Sequence, residues 1–147
     1  MIITPEELKT GLYPEVIEEI TRADGKEIPL HIKAAEDFAK GFLFKYDLKA
    51  LFGVEEDPPN VQDKGLKKVV KVMASYFLVR KSNPSVSLSL FHEDRMIWIG
   101  TEKEPGYLYD IRVGKINPEW PYKPTPEEEN TAEGFFWNSD IRRINRF

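Results

Sequence analysis

Apolar residues recur at helical spacing along two long stretches of the chain. One stretch contains Ala35, Phe38, Ala39, Phe42 and Tyr46, and the other runs from Leu66 to Phe77 with the same spacing. Positions three or four residues apart share one face of an α-helix. The pattern predicts two long helices, which usually pack antiparallel when one loop joins them. The predicted core at their interface consists of Ala35, Phe38, Phe42, Val69, Val70, Met73 and Phe77.

Capping residues predict where further helices begin and end. Thr4, Pro5 and Glu7 have the spacing of a capping box with proline in the first turn. Asp47 is a predicted cap for a short helix from Leu48 to Phe52, and Asp63 for the second long helix. The first helix is predicted to end at Gly11, and a second short helix is predicted to start at Pro14. Gly53 is the predicted end of the 48–52 helix. The last helix is predicted to run from Pro105 to a cap at Gly114.

The stretch between the second long helix and the last one is ambiguous. Residues 85–90 alternate polar and apolar side chains, which fits a strand or an extended segment laid across helices. Residues 93–100 fit one or two helical turns. The predicted fold class is therefore all-α or mainly α, a small helical bundle with an extended C-terminal arm.

The composition changes after residue 117. Pro118, Pro121, Pro124 and Pro126 are followed by three glutamates, a composition typical of an extended linker. The predicted organisation is a helical domain over 1–117, a linker over 118–134 and an aromatic, basic arm over 135–147. An exposed aromatic cluster usually meets a partner, although the arm could also fold back onto its own domain. The candidate docking residues are Phe135, Phe136, Trp137, Arg142, Arg143, Arg146 and Phe147.

Composition limits the classes of protein that fit. The 147 residues suit one domain, the 41% apolar content suffices for a core, and the net charge of −4 argues against a free-standing non-specific DNA binder. The absence of cysteine excludes disulfides and thiolate metal sites. We expect neither a signal peptide nor a membrane span, since no apolar run approaches roughly 18 residues.

Residues able to carry out chemistry are sparse. The chain has two histidines, and they lack the spacing of a helical zinc pair. His92, Glu93 and Asp94 are adjacent and would suit a small enzyme if they converged, but such a trio is more often a solvated surface. No glycine-rich phosphate loop is present. We therefore expect no catalytic residues, no metal and no cofactor.

Basic residues cluster on the second long helix. Lys64, Lys68 and Lys71 share one face at helical spacing. The same pattern fits the solvated back of an amphipathic helix. A functional interpretation is a surface that makes weak contacts with passing phosphate backbones.

Short stretches along most of the chain match one known group of proteins. The matching residues are 4–8, 17–25, Ala35, Phe38, Tyr46, 66–84, 108–111, 114–116, Pro118, Ser139, Arg142, Arg143 and Phe147. With these residues the chain resembles the small head-completion or head–tail connector proteins of tailed phages and prophages, and in particular the neck proteins of Mu-like prophages.

The resemblance implies a structural role without enzymatic activity or cofactor. It implies a ring of identical subunits below the portal, with DNA passing through the centre. The implied partners are other copies of the chain and portal or tail-completion proteins, in the cytoplasm of a bacterial host or in the virion neck. The main alternative is a stand-alone module that binds another protein through its C-terminal arm.

Overall fold

The computed structural model describes residues 1–10, 26–82 and 89–126, and this part of the chain is mainly helical. The predicted small helical bundle is thereby confirmed. The predicted helix at Pro14, the boundary at Gly11 and the arm at 135–147 lie outside the described residues, as does most of the ambiguous 85–90 segment. The described helices are α1 (Pro5–Lys9), α2 (Glu27–Lys40), α3 (Leu48–Phe52), α4 (Lys64–Ser82), α5 (Ser89–Trp98) and α6 (Tyr107–Val113).

The N-terminal segment is fixed to the bundle by both local and distant contacts. Thr4 Oγ1 accepts a hydrogen bond from the Glu7 amide at 3.1 Å, and Glu7 Oε2 accepts one from the Thr4 amide at 2.9 Å. This reciprocal pair is the predicted capping box. Ile2 is buried, and its amide donates to Oε1 of the buried Glu36 at 2.6 Å. The segment before α1 is therefore held against α2.

Helices α2 and α4 form the centre of the bundle. A salt bridge of 2.7 Å joins Lys81 in the last turn of α4 to Glu27 in the first turn of α2, as antiparallel packing requires. Full burial of both apolar stripes supplies the main stabilisation, at roughly 1.5–3 kcal/mol for each large side chain. The buried stripes are Ile28, Ile32, Ala35 and Ala39 on α2, and Leu66, Val69, Val70, Met73 and Ala74 on α4.

The predicted core was only partly correct. Ala35, Val69, Val70 and Met73 are buried, but the three phenylalanines predicted with them lie at the margin of the core: Phe42 and Phe77 are half-buried, and Phe38 is 36% exposed. The physical reason for Phe38 is its position on α2, about 60° around the helix from Ala35 and toward solvent. The first long helix also ends at Lys40 with Gly41 as its cap, so Phe42 and Tyr46 do not belong to it.

Helix α3 was predicted correctly at both ends. Asp47 Oδ1 accepts hydrogen bonds from the amides of Lys49 and Ala50 at 2.9 and 3.2 Å. Gly53 follows at φ 73°, a left-handed conformation that favours glycine. A Cβ there would also lie 2.5 Å from the Asp57 carbonyl oxygen. The chain therefore turns sharply into the loop toward α4.

The connection between α5 and α6 is a tight loop. Helix α5 begins at Ser89, four residues before the helical turns predicted from residue 93. Gly100 has φ 77°, and a Cβ on Gly106 would lie 2.5 Å from the Met96 carbonyl oxygen, so the two ends of the loop approach too closely for larger residues. Helix α6 then begins at Tyr107, two residues after the predicted start at Pro105, and Gly114 caps it at φ 83° as predicted.

Candidate functional site

Three aromatic rings and one guanidinium form a continuous, partly exposed surface across the end of α2, the turn that follows it and α6, here called the aromatic strip. The ring centroids of Phe38 and Phe42 are 5.2 Å apart, and those of Phe42 and Tyr109 are 6.1 Å apart. The Arg112 guanidinium lies 5.5 Å from the Phe42 ring and 5.8 Å from the Tyr109 ring. These distances are within the range of aromatic and cation–π contacts.

The apolar surface continues beyond the strip along both helices. Leu30 and Ala34 lie eight and four residues before Phe38, so they share its face of α2. Leu30 is 66% exposed and Ala34 is exposed too. On α6, Val113 is 53% exposed beside Arg112. The surface thus combines aliphatic, aromatic and arginine side chains, a composition typical of the centres of protein interfaces.

The predicted DNA-facing lysines do not form one free basic surface. Lys64 is exposed, but Lys68 and Lys71 are half-buried, and Lys71 Nζ donates to Thr10 Oγ1 at 3.0 Å. The neighbouring Lys67 lies 3.4 Å from Glu7 Oε1. The Thr4 amide and this ammonium both lower the pKa of Glu7. Part of the basic face therefore holds α1 against α4.

DNA binding by the isolated chain is expected to be weak and sensitive to salt. With at most three phosphate contacts from Lys64, Lys68 and Lys71, affinity should fall about 40-fold between about 50 and 200 mM salt. Fluorescence anisotropy with labelled duplexes of different sequence would measure this. A Lys64→Ala, Lys68→Ala double variant is expected to flatten the salt dependence, and Lys115→Ala, on an exposed residue after α6, is the control. Sequence-specific binding that persists at high salt would contradict the prediction.

Trp120 anchors the chain after α6 to the bundle. It is 6% exposed, its ring meets the Tyr46 ring edge-on at a centroid distance of 5.4 Å, and its indole N–H donates to Asp63 Oδ2 at 3.4 Å. Asp63 also caps α4 as predicted, since Oδ1 accepts from the Leu66 amide at 2.8 Å. Burial, the Asp63 charge and Tyr46 together raise the pKa of the adjacent Tyr107. One carboxylate thus joins α4 to the C-terminal segment.

The segment that follows Trp120 pairs with the chain after α2. The amide of Asp47 donates to the Pro121 carbonyl at 2.9 Å, the amide of Lys123 donates to the Lys45 carbonyl at 3.0 Å, and Tyr46 stacks on Tyr122. The first six residues of the predicted 118–134 linker are therefore part of the folded body. Prolines exclude a helix there, but an extended chain retains the hydrogen-bonding groups used in this pairing.

The residues proposed for an enzymatic alternative do not converge. His92, Glu93 and Asp94 are consecutive positions of α5, and successive side chains of an α-helix point about 100° apart. Among the described residues, no group of three His, Asp or Glu side chains is placed to hold a metal ion. The structure therefore gives the trio no common site.

Sequence reasoning missed the aromatic strip. It assigned Phe38 and Phe42 to the core and gave Tyr109 and Arg112 no role. The available signal was that Tyr109 and Arg112 are three residues apart and that each directly follows a residue of the apolar pair Leu108 and Ile111, so the two pairs point about 100° apart around α6. The arm residues 135–147, which the sequence favoured as a docking element, lie outside the part of the chain that the structure describes.

No known protein family, curated protein or solved structure matches the chain. Within residues 1–10, 26–82 and 89–126, no helix is long and apolar enough to cross a membrane.

Proposed function

We propose that this chain is a structural subunit that assembles with copies of itself. The aromatic strip carries the proposal, because Phe38, which is 36% exposed, lies beside Phe42, Tyr109 and Arg112 on the surface of the bundle. Tyrosine and arginine supply much of the binding energy at interfaces, and exposed apolar patches usually meet a partner. The C-terminal arm supplies further aromatic side chains for the same purpose.

The finer form of the proposal is a subunit of a phage or prophage head–tail connector. In this form the chain completes the head as a ring below the portal, DNA passes through the ring, and portal or tail-completion proteins are its neighbours. This form rests on the resemblance of the sequence to that family, and the helical bundle is compatible with it. The second candidate is an interaction module whose arm binds a different protein.

Deletion of residues 135–147 tests the proposal. We expect the deletion to abolish self-association while leaving the thermal melting of the body largely unchanged, because the described core and the Trp120 anchor precede the deleted residues. Sedimentation velocity over a range of concentrations and melts followed by circular dichroism would measure both quantities. The matched control keeps the length of the arm and replaces Phe135, Phe136 and Trp137 by serine, and it should behave like the deletion.

Two outcomes would contradict this expectation in different ways. A full-length chain that stays monomeric at every concentration would contradict self-assembly and favour the interaction module. A deletion that strongly lowers the melting temperature would show that the arm belongs to the core of its own chain.

A further inference from the structure

We infer that the aromatic strip of one copy is the surface that receives the C-terminal arm, residues 135–147, of a second copy. The inference rests on the proposed self-assembly and names the two surfaces that meet. The strip consists of Phe38, Phe42, Tyr109 and Arg112, and the incoming residues are the Phe135-Phe136-Trp137 cluster and the basic residues after it.

The apolar parts of the two surfaces match. The strip offers half-buried rings flanked by the exposed aliphatic side chains of Leu30 and Val113. Three consecutive aromatic residues in the arm would cover rings of this kind, and aromatic pairs prefer the tilted and edge-to-face contacts that the strip already contains. Arg112 can stack on an incoming ring, as it already lies over Phe42 and Tyr109.

The charges of the arm and the body are complementary. The arm contains three arginines and one aspartate, so its formal charge is +2. Residues 1–126, with 20 acidic and 18 basic side chains, carry −2, and the four glutamates of residues 127–134 carry the other −4. Next to Phe38, the Asp37 side chain is 60% exposed and pairs with Lys40 at 2.8 Å. An arginine following the aromatic cluster could share this carboxylate. Charge therefore favours docking of the arm on a body over arm-to-arm pairing.

The arm can reach an aromatic strip from the point at which the chain leaves the body. Lys123 pairs with Lys45, three residues after Phe42, so the exit lies close to the strip. The nine residues from Pro126 to Phe135 span at most about 30 Å, more than the roughly 21 Å length of α2. This reach includes the strip of the same chain, so the choice of a second copy as the receiver rests on the proposed self-assembly.

Cysteine cross-linking of the full-length chain tests the inference, because the natural sequence contains no cysteine. One population carries Asn138→Cys beside the aromatic cluster, and a differently tagged population carries Ala34→Cys beside Phe38. Neither change removes a residue of the strip or of the cluster. After mixing and mild oxidation, we expect about tenfold more mixed dimer than with Thr101→Cys, an exposed control in the α5–α6 loop. Adding Tyr109→Ser to the Ala34→Cys chain should reduce this yield.

The outcomes separate the inference from the function on which it rests. If the mixed dimers are no more abundant than in the control while self-association still requires the arm, the strip is not the surface that receives the arm. The proposed self-assembly would not be affected by that result. An intrachain disulfide in a chain carrying both Ala34→Cys and Asn138→Cys, without mixed dimers, would also overturn the inference, since the arm would then bind its own strip. If the full-length chain shows no concentration-dependent association at all, that result would contradict both the inference and the proposed function.

Discussion

Replacing Trp120 by alanine is expected to lower the free energy of unfolding by roughly 3–5 kcal/mol. The side chain is buried, packs edge-on against Tyr46 and donates to Asp63. Its removal leaves a cavity between the cap of α4 and the C-terminal segment, and it weakens the pairing of Lys123 with Lys45. Urea unfolding followed by far-ultraviolet circular dichroism measures the loss without relying on tryptophan fluorescence.

Trp120→Phe is the matched control for this prediction. Phenylalanine keeps an aromatic ring against Tyr46 but cannot donate to Asp63, so the expected loss is about 1–2 kcal/mol. An alanine variant as stable as the natural chain would mean that residues 118–123 contribute nothing to the body. The whole range 118–134 would then be a free linker, as the proline content alone suggested.

Four helix ends marked by capping residues were predicted correctly from the sequence. The capping box at Thr4, the Asp47 and Asp63 caps and the glycine cap at Gly114 all lie where they were predicted. Each depends on hydrogen bonds or backbone angles within about four residues, so the information is local. The two central helices were also identified, because their buried stripes repeat over several turns.

Burial of individual aromatic residues could not be predicted in the same way. Phe38 and Phe52 each lie on a predicted helix, yet only Phe52 is buried, since burial depends on which segments pack on each face. Trp120 stands among prolines that indicate a linker, and its partners Tyr46 and Asp63 are more than fifty residues away in the sequence. Contacts at such separations leave no periodic signal in one sequence.

The candidate site shows the same limit. The arm was identified because its aromatic and basic composition follows a proline-rich stretch, and it stays a prediction. The strip was missed because it forms only when α6 packs beside the end of α2. The lysine face was visible from spacing, but its engagement with Glu7 and Thr10 depends on how α1 packs against α4.

Phe52→Ala is expected to cost roughly 3–5 kcal/mol, whereas Phe38→Ala in the same assay is expected to cost about 1 kcal/mol or less. The chemical change is identical, but Phe52 is 1% exposed and Phe38 is 36% exposed. Phe52 also loses a contact with Lys40 Nζ, which lies 5.4 Å from its ring centroid. Urea unfolding at low protein concentration measures both variants, and Phe52→Leu, expected to cost about 1 kcal/mol, controls for volume.

The same pair of variants links stability to assembly. If the strip is covered by a second copy, the folded state is stabilised by association, and that stabilisation grows with protein concentration. The cost of Phe38→Ala should then rise as the protein is concentrated, while the cost of Phe52→Ala should stay constant. If both variants lose the same large amount of unfolding free energy at the lowest concentration, Phe38 is not exposed in the isolated chain. The aromatic strip would then not be a docking surface.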